Sequence, residues 1–230
     1  MHTQLFLLGG SEDPFYAVAE RLVPASGGKN GNIALLISGS PGWEEYVSHY
    51  TAPWVKCGIG HYEVIVPNEL GLIDHDSVIP IIKHATGIFI GGGHTQIYQS
   101  LFATDPLRQV LHEQYDKGIP FAGLSAGALL TPTICAIPPS DTGNTKVAIT
   151  PGLGFLSDMI LGVHFSECNA LPYVLDAMTI TKTVNGIGID EATCIVMHDG
   201  KIADIFGGNA YQITMNDFKT KAYDITPISQ

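Results

Sequence analysis

Short apolar runs, each closed by glycine or serine, recur through the first half of the chain. Residues 5–8 (Leu-Phe-Leu-Leu) stop at Gly9-Gly10, residues 33–37 at Ser38-Gly39-Ser40-Pro41-Gly42, and residues 87–90 at Gly91-Gly92-Gly93-His94-Thr95. A shorter run, Pro120-Phe121-Ala122, leads into Gly123-Leu124-Ser125-Ala126-Gly127. Unbroken apolar runs of this length suit strands buried on both faces. Residues 62–66 add a further strand. Between the strands lie helical patterns. Ser11-Glu12-Asp13-Pro14 opens one, with Ser11 or Asp13 as its cap and Pro14 in its first turn. Residues 43–55 form a second, which Pro53 is expected to interrupt, and residues 76–85 a third after an acidic loop. Ile97, Tyr98 and Leu101, then Leu107, Val110 and Leu111, repeat at helical spacing. Strands alternating with helices predict an α/β fold with a doubly wound, mostly parallel sheet, in which ligands bind beyond the carboxyl ends of the strands.

The second half changes character. Residues 131–137 and 147–150 are strand-like, and Gly152-Leu153-Gly154 marks a turn. Residues 159–163 form an apolar strand that delivers His164, and a helix follows over 170–179. Short runs then cover 186–191, 194–197 and 202–206, with Asp199-Gly200 as a hairpin turn between the last two. An antiparallel hairpin region is therefore expected near the C-terminus. With no internal repeat and no linker, residues 1–230 are read as a single domain.

Composition narrows the function. Hydrophobic residues make up 45% of the 230 and charged residues 14%, as in a compact globular protein. The formal net charge is −11 with no Lys/Arg cluster, so no nucleic-acid partner is expected. Cys57, Cys135, Cys168 and Cys194 lie far apart and read as free buried thiols in a reducing compartment. Residues 1–10 read as a first strand and not a signal peptide, and no apolar run approaches the ~18 residues of a membrane span. The expectation is a cytoplasmic protein without a membrane partner.

Gly123-Leu124-Ser125-Ala126-Gly127 fits the nucleophile elbow G-x-S-x-G, with a strand before it and a helix able to follow. A serine hydroxyl needs a base, and the base needs an orienting partner. His164, at the end of an apolar strand, is the candidate base. His94, in the glycine loop, is expected to line the pocket with Gly93 and Thr95, as substrate-binding residues. The orienting carboxylate is left open between Glu191, at the end of an apolar run, and Asp141, in a turn. Gly92 and Ala126 would supply the oxyanion N–H groups. No Gly-Lys-Ser/Thr follows the glycine run, which excludes a Walker-type phosphate site. Asp74-His75-Asp76 reads as a solvated loop and not as a metal site.

These motifs resemble the serine peptidase family that contains cyanophycinase and peptidase E, an aspartyl dipeptidase. The likeness rests on Gly9-Gly10 with Glu12, Ile88-Phe89-Ile90-Gly91-Gly92-Gly93-His94-Thr95-Gln96, and Gly123-Leu124-Ser125-Ala126-Gly127-Ala128. It continues through Pro151-Gly152-Leu153-Gly154-Phe155-Leu156, His164-Phe165-Ser166 and Gly186-Ile187-Gly188-Ile189-Asp190-Glu191-Ala192-Thr193. The resemblance implies a flavodoxin-like sheet related to class I glutamine amidotransferases, with serine replacing cysteine at the elbow. It implies Ser125 as nucleophile, His164 as base and Glu191 as orienting carboxylate, with Asp141 near the aspartate that serves in peptidase E. It further implies hydrolysis of a small peptide at an aspartyl or β-aspartyl (isopeptide) bond, with no cofactor and no metal; relatives include monomers and dimers, and a homodimer is expected here. The arginines that follow the histidine in cyanophycinase are absent from residues 166–173, Gly162-Val163 replaces an Asp-Gln pair, and His94 stands where relatives carry asparagine or aspartate. A substrate other than cyanophycin follows. An esterase or amidase on the same residues, and a non-catalytic amidotransferase-like binding module, are the rival readings.

Overall fold

A computed structural model describes residues 2–229. The predicted apolar runs become β1 (Gln4–Leu8), β2 (Asn32–Leu36), β3 (His61–Ile65), β4 (Gly87–Ile90) and β5 (Phe121–Leu124). These five strands are mutually parallel, in the order β1-β5-β4-β2-β3. Alternate residues of each strand face opposite ways, so one sheet feeds two cores. Phe6, Leu8, Ile33, Leu35, Phe89 and Leu124 pack against α1 (Phe15–Ala25) and α2 (Trp43–Lys56). Leu5, Leu7, Ala34, Leu36, Ile88 and Ile90 pack against α3 (His75–His84), α4 (Thr95–Phe102) and α5 (Leu107–Asp116). The sheet is thus covered by helices on both faces, which is why its strands read as unbroken apolar runs. A short α6 (Ala126–Leu129) follows β5 directly.

Beyond α6 the chain builds β6 (Ile134–Ile137), α7 (Pro139–Thr142) and β7 (Ala148–Pro151), with β6 and β7 paired antiparallel. Then come β8 (Met159–Val163), α8 (Leu171–Thr181), β9 (Asn185–Ile189), β10 (Thr193–His198), β11 (Lys201–Gly207), β12 (Ala210–Asp217) and β13 (Ala222–Pro227). These strands do not all extend the main sheet. β10 and β11 do, pairing antiparallel at the free edge of β1 to complete seven strands. β8, β9, β12 and β13 form a second, four-stranded sheet. The two sheets are joined through the core: Leu161, Val163, Ile187 and Ile189 share a cluster with Leu5, Leu7 and Ile195.

Several local expectations are corrected. α1 has Pro14 as its N-cap and no side-chain capping bond. Ser11 Oγ instead donates to Asp13 and accepts the Ala192 N–H, so both capping candidates are engaged elsewhere. Pro53 does not interrupt α2, which runs on to Lys56. Asp74 caps α3 through the Asp76 N–H, so Asp74-His75-Asp76 is a helix start and not a loop. Of the cysteines, Cys135 and Cys194 are buried but Cys168 is exposed; all four are free. Burial pushes the Cys135 thiol up to about 12. Asp199-Gly200 makes the β10–β11 turn, both residues at positive φ as a two-residue hairpin requires. No helix among the described residues is long and apolar enough to cross a membrane.

Candidate active site

Five loops converge at one end of the molecule. Those after β1, β2, β4 and β5 leave the carboxyl edge of the main sheet, and the loop after β8 leaves the second sheet. In the run from Phe121 to Leu130, Ser125 alone is half-buried while its neighbours are buried. Its backbone sits at φ 49°, ψ −107°, a conformation that side chains rarely adopt and that surrounding contacts must impose. Those contacts are visible. The Ser125 N–H donates to Leu8 O at 2.9 Å and the Gly127 N–H to Gly91 O at 3.1 Å, which pins the turn to the ends of β1 and β4. A side chain at Gly127 would run into the carbonyls of Ile90 and Gly91, so the closing glycine is required by close approach.

His164 follows β8 and also has positive φ, 45°. Its Nε2 lies 2.9 Å from Ser125 Oγ and its Nδ1 lies 2.8 Å from Glu191 Oε1. A carboxylate oxygen only accepts, so Nδ1–H donates to Glu191 and Nε2 is left to accept the serine hydroxyl. Glu191 sits between β9 and β10, where the chain passes from the second sheet to the main one. Its own N–H donates to Glu167 Oε1 at 3.2 Å, and the next residue, Ala192, has φ 56°. Asp141 is elsewhere: its Oδ2 accepts the Thr95 N–H at 2.8 Å, at the start of α4, and it makes no bond to His164. Glu191, not Asp141, is therefore against the imidazole.

The other predicted positions divide. Gly92 lies against the serine, since an added Cβ would be 3.4 Å from Ser125 Cβ. Its N–H already has an acceptor, the Tyr50 hydroxyl at 3.3 Å, while its carbonyl accepts the Tyr98 hydroxyl at 3.0 Å. Ala126 is the first residue of α6, where an N–H has no intrahelical partner. Gly93 lines cavities on both sides of Ser125 and Thr95 lines one, but His94 lines neither. The expectation that His94 faces the pocket is thus corrected: it is the exposed N-cap residue of α4.

Three residues hold this arrangement in roles that the sequence did not assign to them. Gly10 is one, because a side chain there would collide with the His164 ring and press on Glu191. Tyr50 is another, buried beside Phe15 and bonded to Gly92. Asp190 is the third. It is 5% exposed, accepts the Ser166 N–H at 2.9 Å, and so ties the loop after His164 to the end of β9. An acid at the end of an apolar strand was the available signal for it, since such a group needs partners.

Ser125 touches two cavities of about 500 Å³ each. The first runs under α2 and is lined by Phe15, Trp43, Tyr46 and Tyr50, with Glu12 and His49. The second lies between α7 and α8 and is lined by Asp141, Val147, Cys168, Asn169, Tyr173 and Asp176. Among the described residues, no group of histidine, cysteine, aspartate and glutamate has metal-site geometry.

A serine on an elbow, a histidine on its oxygen, and a carboxylate behind the ring, on an α/β sheet, is the arrangement that serine hydrolases use. Comparison with known proteins agrees with that class. Peptidase family S51 matches residues 5–205. A cyanophycinase from Geminocystis herdmanii is 24% identical over 229 residues, covering 97% of this chain and 84% of the relative. A cyanophycinase from Synechococcus elongatus is 24% identical over 223 residues, covering 94% of this chain and 69% of the relative. Among solved structures, a peptidase from an acI-B1 Actinobacterium superposes with TM-score 0.71 at 18% identity, covering 100% of this chain and 98% of that one. A protein described as a peptidase E, from Listeria monocytogenes, gives TM-score 0.65 at 16% identity, covering 90% and 100%. The chain belongs to peptidase family S51 and is a serine-type peptidase.

Proposed function

We propose that this enzyme hydrolyses small peptides through an acyl-enzyme on Ser125, and the observation that carries the reading is the line Ser125 Oγ–His164 Nε2–His164 Nδ1–Glu191 Oε1, with contacts of 2.9 and 2.8 Å. Ser125 Oγ attacks the scissile carbonyl carbon while Nε2 takes its proton. Glu191 holds the ring and stabilises the imidazolium that forms. The negative oxygen is received by the Ala126 N–H and by the Gly92 N–H, from which the Tyr50 hydroxyl must give way. His164 then donates its proton to the leaving amine as the C–N bond breaks. Water attacks the ester with His164 again as base, and the free acid departs as Ser125 regains its proton. Nothing in this sequence of steps calls for a metal or cofactor.

The parallel order of β1 to β5 supports a likeness to class I glutamine amidotransferases, with serine at the elbow. Four unpaired cysteines support a location in the cytoplasm. An aspartyl or β-aspartyl bond is the specificity that the sequence resemblance implies; the chemistry of the two cavities speaks for a different side chain. The test is hydrolysis of a di- and tripeptide library read by mass spectrometry, with Ser125→Ala and His164→Ala beside the native enzyme. Cleavage by the native enzyme alone is expected. Hydrolysis of aryl esters with no peptide cleaved would favour the esterase reading instead.

A further inference from the structure

The two cavities that meet at Ser125 differ in chemistry, and on the peptidase reading that difference selects substrates. We infer that the enzyme takes short peptides with an aromatic or large apolar residue in the first cavity and a neutral or basic residue in the second, and that it discriminates against an aspartyl side chain in either.

The first cavity is walled by rings. Phe15 and Tyr50 stack with centroids 5.3 Å apart, and Trp43 and the exposed Tyr46 of α2 line the open rim. Among the described residues no lysine or arginine lines it. Its one fixed acid, Glu12, is bonded to its one outer histidine, His49 Nδ1, at 2.5 Å, so any charge on that imidazole is already met. A volume of about 500 Å³ accommodates an aromatic side chain together with part of a peptide backbone. Such a side chain buries roughly 150–250 Å². A carboxylate placed there would lie against aromatic rings with no lysine or arginine to pair with.

The second cavity excludes an acid more directly. The start of α4 is where a substrate carboxylate would find a free N–H and the positive end of the helix dipole. Asp141 already occupies that place: its Oδ2 accepts the Thr95 N–H at 2.8 Å and its Oδ1 the Ser140 hydroxyl at 3.2 Å. Asp176 also lines this cavity and holds Lys221, while Asp141 has no cationic partner among the described residues. No lysine or arginine among the described residues lines the second cavity either. A substrate aspartate would meet a like charge there, within a molecule of net charge −11.

The test is kcat/KM for a matched dipeptide panel in which one position is Phe, Leu, Lys, Asp or β-linked Asp, with formation of a fluorophosphonate adduct at Ser125 followed in the same preparation. The aromatic member should exceed both aspartyl members by about tenfold or more. Trp43→Ala should lower turnover of the aromatic member through KM. Asp141→Asn keeps an oxygen for the Thr95 N–H, so the loop stays folded, and should raise kcat/KM for the aspartyl members by about tenfold. An adduct at Ser125 together with a preference for aspartyl or β-aspartyl peptides overturns this inference and leaves the peptidase reading standing. So does a native enzyme that labels yet discriminates by no factor across the panel. Absence of both adduct and hydrolysis overturns the peptidase reading itself, and the inference with it.

Discussion

The nucleophile and its base come from two different constructions. Ser125 stands on the main sheet, on a turn pinned by backbone bonds to β1 and β4 and covered by helices on both faces. His164 stands on the second sheet, whose strands β12 and β13 end at an edge of exposed residues. The His164 ring and Glu191 lie against Gly10, which has no side chain to displace them, and Glu191 sits where the chain crosses from β9 of the second sheet to β10 of the main one. The strained serine is therefore fixed locally, whereas the histidine is fixed by how two sheets are held together. Damage to the first should abolish chemistry outright. Damage to the second should misplace a base that is chemically intact.

The largest effect that can separate these cases is Ser125→Ala. It should lower kcat by about 10⁴-fold or more with the fold retained, measured by peptide hydrolysis and circular dichroism. Retained turnover would show that the elbow is only a turn. Glu191→Gln, at the crossing, should lower kcat by about 10²–10⁴-fold while KM changes little, because the wrong tautomer then faces the serine. Gly10→Ala should lower kcat by about 10²-fold with no change in secondary structure, because the added methyl displaces the His164 ring and not the serine. A Gly10→Ala enzyme with full activity would mean that the sheets can shift apart at no cost. The smallest effect is expected for Asp190→Asn, where loss of a charged acceptor for the Ser166 N–H loosens the loop after His164. That should cost about 1–3 kcal/mol in thermal or urea unfolding and roughly tenfold in kcat. If stability falls and kcat does not, Asp190 supports the second sheet without positioning the base.

The same contrast governs what could be read from the sequence. Each strand of the parallel sheet carries its own signal, because burial on both faces produces an unbroken apolar run and the following loop must be small. β4 matches the expected residues, β1, β2 and β3 differ by a residue at their ends, and β5 begins one residue later than expected and runs on through Leu124. The elbow is legible because its glycines answer local collisions. The partition of the later strands between two sheets is not. The runs at Ile187 and Ile195 look alike, yet the first pairs with β8 and the second with β1. Pairing partner is a non-local property that an apolar run does not encode. The contact between His164 and Glu191 follows from that partition, so the apolar runs by themselves do not distinguish Glu191 from Asp141. Helix starts failed for a related reason. Ser11 is a good capping residue, but its hydroxyl is used to hold Ala192, beside Glu191 and far along the chain.

The measurement that bears most directly on a catalytic site assembled across two sheets is the rate of fluorophosphonate labelling, with the modified peptide located by mass spectrometry. The native enzyme should carry one adduct, on Ser125. Labelling should vanish in Ser125→Ala, and should slow by at least about 10²-fold in His164→Ala and in Gly10→Ala. A folded native enzyme that does not label, or that labels at a residue other than Ser125, would contradict the account.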